Sequence, residues 1–141
     1  MAYLVDTNLP SELTKAAPDP RVEQFLIQAG QSQVYASVVT IGEICKGIGA
    51  ISEGKRRADL QTWLDSVMRP WFAGRILPIN ENISERWGTL TAVQRRNGRQ
   101  ITMADGLIAA TALEHNLILV TRNVKDFDNL GLTIINPWEM R

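Results

Sequence analysis

The sequence is short of soft metal ligands. Among 141 residues there is one cysteine, Cys45, and one histidine, His115. A lone cysteine excludes an intrachain disulfide, and a reducing, cytoplasmic setting is the simplest expectation. One thiol and one imidazole also argue against zinc held by soft ligands. Charge of one sign is missing too: fifteen Lys and Arg balance fifteen Asp and Glu. That balance announces no nucleic-acid binder, although local patches matter more than sums. No apolar run approaches the roughly 18 residues of a membrane span, so no membrane partner is expected. No basic segment precedes an apolar stretch at the N-terminus, and no signal peptide is expected. There is neither a Walker loop nor a GxGxxG after the first apolar run, so neither a P-loop nor a dinucleotide site is supported.

What is present is a chain 45% hydrophobic, enough to fold, with a length that suits one domain over residues 1–141. Short apolar runs rich in β-branched residues alternate with helical periodicity. Tyr3-Leu4-Val5 reads as a strand, followed by a short helix between Pro10 and Lys15. Asp19-Pro20 caps a helix carrying Val22, Phe25, Leu26 and Ala29 on one face. Residues 34–40 read as a second strand, with a helix to follow that places Ile41, Ile44, Cys45 and Ile48 together. A helix over 53–68 carries Leu60, Trp63, Leu64 and Val67 and is expected to stop at Pro70. Residues 75–79 form a strand. Asn80 caps a helix striped by Ile83, Trp87, Leu90 and Val93, which Asn97-Gly98 closes. Thr102 to Asp105 outlines a capping box for the next helix. Strands at 117–121 and 132–137 complete the order. Strands separated by helices predict a three-layer α/β/α sandwich with a mostly parallel sheet.

In such folds ligands bind beyond the carboxyl ends of the strands. Three acids fall there: Asp6 after the first strand, Glu43 after the second, and Asp105 in the first turn of its helix. Asn123 and Asp126 follow the strand at 117–121 to the same edge. Asp105 alone reads equally as a cap, and Glu43 alone as an answer to a helix dipole. Asp6 is different, because a carboxylate abutting a core strand is costly unless paired or bound to a cation. Three acids together repel one another unless protons or a metal neutralise them. All-oxygen donors fit Mg²⁺, with Mn²⁺ as the second choice. A hard ion on carboxylates activates water and steadies phosphoryl oxygens, so phosphodiester hydrolysis is the natural chemistry.

YLVDTN, SVVTIGEICKGI and ITMADGLIAATALEHNLILVTRNVKDF, in this order, resemble the motifs of PIN-domain ribonucleases, more narrowly VapC-like or FitB-like toxins of bacterial toxin–antitoxin pairs. The resemblance spans essentially the whole chain. It implies that Asp6, Glu43 and Asp105 are the catalytic, metal-binding acids, with Thr7, Asn8 and Thr121 supporting them. Asn123 stands where many members carry a fourth acid, and it and Asp126 are further candidate ligands. Lys46 and Arg122 are candidate phosphate contacts, each also readable as an ordinary solvated charge. Arg56-Arg57 and Arg95-Arg96 read as solvated helix faces. The resemblance further implies an endoribonuclease acting on RNA, tRNA in some members, a homodimer, and a cognate antitoxin as partner. Trp71, after Pro70, is the expected interface residue among the four tryptophans. Competing expectations from the same acids are a metal-dependent DNA nuclease or phosphatase, or a catalytically weak binding protein of the same fold.

Overall fold

A computed structural model describes residues 1–140. Five short strands form one sheet: β1 (Tyr3–Val5), β2 (Val34–Ser37), β3 (Ile76–Leu77), β4 (Ile118–Val120) and β5 (Ile134–Ile135), in the order β3-β2-β1-β4-β5. Every pairing is parallel, with Leu4 opposite Tyr35 on one side and Leu119 on the other. The helices are α1 (Asn8–Glu12), α2 (Pro20–Ala29), α3 (Val38–Gly49), α4 (Lys55–Trp63), α5 (Arg69–Trp71), α6 (Glu81–Arg96) and α7 (Met103–Glu114).

The period-two alternation of each strand divides the core. Val5, Val34, Ala36 and Val120 face one side, where they meet Leu9 of α1, Phe25 of α2 and Ile44 of α3. Leu4 and Leu119 face the other, where they meet Ile108, Ala109 and Ala112 of α7. Helices therefore cover both faces, and the molecule is a three-layer α/β/α sandwich. On the α7 side the packing is close. A Cβ on Gly106 would stand 2.7 Å from Trp87 Cδ1, so only glycine lets α6 and α7 approach this far.

Several boundaries differ from the sequence reading. β2 stops at Ser37, whose hydroxyl accepts from the Val39 N–H and starts α3 at Val38, not near Thr40. Local capping outweighs the strand preference of Val38, Val39 and Thr40. The strands expected at 75–79 and 132–137 shrink to two residues each, the latter closed by Asn136, whose side chain accepts from the Trp138 N–H. The first helix opens at Asn8, before Pro10, and ends at Glu12. Pro70 does not stop the fourth helical stretch. Proline has no N–H and crowds the preceding turn, and the chain widens into a π turn over Leu64–Met68 before continuing through α5. That change of pitch turns Val67 outward, 54% exposed. Cys45 also points outward, away from the stripe of Ile44 and Ile48. Asn97-Gly98 does close α6, with Gly98 at φ 73°. No helix among the described residues is long and apolar enough to cross a membrane.

Candidate active site

The strand order places a crevice between β1 and β4, where the winding of the sheet reverses, and ligands bind at such points. Asp6 opens it. Its N–H extends the ladder by donating to the Val120 carbonyl at 2.9 Å. Its side chain, 5% exposed, is held from three directions. Oδ1 accepts from the Thr7 N–H at 2.8 Å. Oδ2 accepts from Thr121 Oγ1 at 2.8 Å and from Asn8 Nδ2 at 3.3 Å. Thr121 directly follows β4 and is fully buried, so the two strand ends are tied through one carboxylate. Thr7, Asn8 and Thr121, the expected supports, all hydrogen-bond the Asp6 carboxylate.

Thr7 also reaches the second acid. Its Oγ1 donates to Glu43 Oε1 at 2.5 Å, and the buried Thr40 hydroxyl lies 3.3 Å from Thr7 Oγ1. Because α3 begins at Val38, Glu43 lies in the second turn and no acid occupies the first. The helix-dipole reading of Glu43 is therefore weakened, since that effect falls off within the first turn. Thr40 was missed in the sequence reading. Its only signal was a hydroxyl within an otherwise apolar run, one turn before Glu43.

Asp105 is the third residue of α7, and its N–H donates to Thr102 Oγ1 at 3.1 Å. Half of the capping box is thus formed. The carboxyl itself is pushed up to about 6, first by burial and then by the negative charge of Asp6, with Asp126 and Glu43 adding to it. Asp6 is likewise raised, chiefly by burial, against the pull of its bonds to Thr121 and Thr7, with the charges of Glu43 and Asp126 contributing. Four carboxylates from four parts of the chain therefore share one electrostatic field. Asp126 belongs to that field although it is exposed, on a single 3₁₀ turn (Val124–Phe127).

The remaining candidates are less engaged. Asn123 donates its backbone N–H to Thr121 Oγ1 at 3.0 Å and is exposed at the rim. Lys46 is exposed on α3. The Arg122 guanidinium lies over the Trp138 ring, 5.6 Å from its centroid. His115 is exposed at the end of α7, remote in sequence from every acid named.

Among the described residues no three acidic, histidine or cysteine side chains form a ready-made cage around one point. The donor set nonetheless fits one kind of ion. It is all oxygen, it is crowded with like charge, and its two most buried carboxyls hold protons more tightly than usual. A hard divalent cation relieves that crowding, whereas a soft one has no thiolate or imidazole to bind.

The PIN-domain model matches residues 3–131. The chain belongs to the PIN-domain family. It is similar to the VapC ribonuclease Y4jK of Sinorhizobium fredii, 40% identical over 136 residues that cover 96% of this chain and 97% of that one. It is similar also to the toxin FitB of Neisseria gonorrhoeae, at 35% identity with 96% and 97% covered. The crystal structure of FitAcB from that organism contains a chain with the same fold. The two superpose with a TM-score of 0.90 at 34% identity, covering 98% of this PIN domain and 99% of that chain.

Proposed function

We propose that this PIN-domain protein is a metal-dependent endoribonuclease, the toxin of a toxin–antitoxin pair. The observation that carries the reading is the buried Asp6 at the crevice, its pKa raised within the same field as Glu43, Asp105 and Asp126. Mg²⁺ is the cofactor the donors favour, with Mn²⁺ next. Asp6, Glu43 and Asp105 hold it, and Asn123 and Asp126 complete the rim. When bound, such an ion lowers the pKa of water and steadies the charge on phosphoryl oxygens.

The chain's own residues do the positioning. Thr121 and the Thr7 N–H fix the Asp6 carboxylate, so its oxygens need no reorganisation when substrate arrives. Thr7 links Asp6 to Glu43, so the two acids keep one spacing. Asp105, its carboxyl raised to about 6 by burial and by Asp6, is the third acid at the crevice. Lys46 and Arg122 are candidates for contacts to the RNA backbone, and Arg122 would have to leave Trp138 to make one.

Relatives named VapC ribonuclease and FitB toxin, and the FitAcB structure, support the partner reading. An antitoxin segment suits the apolar cavity of about 550 Å³ between α1, α2 and α4–α5, where Ile27, Trp63, Val67 and Trp71 stand. Trp71, half-buried against Phe72 and Arg75, fits that role as well as a place in a homodimer. A cytoplasmic location follows from an RNA substrate, tRNA or another.

The test uses the whole chain with RNA, DNA and a simple phosphomonoester, with Mg²⁺ and with EDTA. We expect RNA alone to be cut, with Mg²⁺ alone, and nothing to be cut by the Asp6→Asn variant. Cutting of DNA or the monoester in preference to RNA replaces this reading with a nuclease or phosphatase of another class. Unchanged activity in Asp6→Asn ends it.

A further inference from the structure

A second cavity, about 540 Å³, opens between the end of α6 and the loop after the 3₁₀ turn. Asp105 and Asp126 stand in its wall, so it adjoins the acid site. Two cations line it, Arg99 and Lys125, and neither is in an ion pair among the described residues. Arg99 is braced by a neutral group: with its carboxamide oxygen turned toward the guanidinium, Asn129 accepts from Nη1 at 2.7 Å and Nη2 at 3.2 Å. That bracing leaves the full positive charge available. Gln94, 7% exposed, is also in its wall, and its carboxamide makes no hydrogen bond among the described residues. An amide in a cavity wall without a protein partner is free to bond a ligand.

The chemistry of the walls selects the ligand. Asp105, Asp126 and Asp128 make the lining inhospitable to a bare anion. A carboxamide in the wall suits the donor and acceptor edge of a neutral base, as it does where unstacked RNA bases are read. Two unpaired cations suit the phosphate that base carries. We propose that this cavity is the subsite for one nucleotide flanking the scissile phosphate, its base on Gln94 and its outer phosphate on Arg99 and Lys125. The proposal rests on the ribonuclease reading above and adds to it a specificity-determining residue, Gln94, outside the acid cluster.

Binding tests it separately from cutting. The full chain is titrated in EDTA with a fluorescein-labelled ten-nucleotide single-stranded RNA, followed by anisotropy, with oligonucleotides of each base in turn. The Arg99→Ala/Lys125→Ala variant removes two exposed side chains and is expected to fold. Its Kd should rise about tenfold, equal to one charge-assisted bond or more. Its dependence of log K on log salt should lose about 1.4 in slope, two phosphate contacts on a single strand. Gln94→Met keeps the volume and should level the preference among bases while leaving the salt slope alone. The Arg56→Ala/Arg57→Ala variant, on α4, should bind as the parent does. Equal binding by parent and Arg99→Ala/Lys125→Ala, no binding by the parent, or a base preference untouched in Gln94→Met overturns the subsite. A protein that shows these shifts but cuts no RNA keeps the subsite and loses the nuclease. One that cuts RNA without them does the reverse.

Discussion

Asp6 and Glu12 are six residues apart and equally buried, each 5% exposed, yet the fold treats them in opposite ways. Glu12 is fully answered. It receives Lys15 Nζ at 2.9 Å, the Asp19 N–H at 3.0 Å and the Trp138 indole N–H at 3.0 Å. Those bonds, Lys15 first and Trp138 next, hold its carboxyl below the usual range. Asp6 receives hydrogen bonds but no cation, and burial with the neighbouring charges of Glu43 and Asp126 raises it. One acid is a fastener that ties α1 to the C-terminal 3₁₀ turn at Trp138. The other is a charge kept in deficit at the place where the sheet opens. Equal burial therefore goes with opposite pKa shifts, because one carboxylate is answered by a cation and an indole N–H while the other faces further acids.

The contrast can be broken from either side. The largest expected effect is on chemistry. Asp6→Asn should lower RNA cutting at least about a thousandfold while leaving the melting temperature in EDTA equal or higher, whereas Glu12→Gln should keep cutting within a few-fold. Rate measurements with the two variants side by side check this. Next is stability. Glu12→Gln should cost about 2 kcal/mol, the worth of a buried charge-assisted network, read by urea unfolding. The pH dependence should also differ in sign. Asp105 is raised from 3.8 to about 6, so the native state holds its proton more tightly than the unfolded chain does. Without metal, stability falls as pH rises between those values, and Asp105→Asn should recover on the order of 1 kcal/mol above pH 6. Glu12 is lowered, so its contribution is present above 4.5 and fades as the pH drops through its folded value. Melting curves from about pH 2.5 to 8, with EDTA and with Mg²⁺, check both slopes, and Mg²⁺ should flatten the first only. The smallest effect is Trp138→Phe, which removes one of Glu12's three donors and should cost about 1 kcal/mol without touching catalysis.

The layers of this fold and the position of Asp6 were legible because they follow from local patterns. Three apolar residues followed by Asp-Thr-Asn mark a strand leaving the core at a polar edge, and Tyr3–Val5 is that strand. The start of α3 was hidden, because Val38, Val39 and Thr40 favour a strand when read alone and only the Ser37 cap decides otherwise. Val67 leaves its stripe because the π turn changes the pitch, and Cys45 because the buried face of α3 runs through Thr40, Ile44 and Ile48 and leaves Cys45 at its edge. The bond of Glu12 to Trp138 spans 126 residues and leaves no mark in local sequence. The charges that couple Asp126 to Asp6 and Asp105, by contrast, agree with its place after β4 at the same edge.

The tie between Asp6 and Thr121 bridges 115 positions of the chain. On the ribosome, β1 emerges early but waits for β4 before it has a partner on that flank. Synthesis runs at roughly 5 to 20 residues per second, so the first motif is exposed for several seconds before the last arrives. A translation product interrupted before Ile118 carries Asp6 without its clamp. On the ribonuclease proposal, no chain that stops short of Thr121 holds its central acid in place.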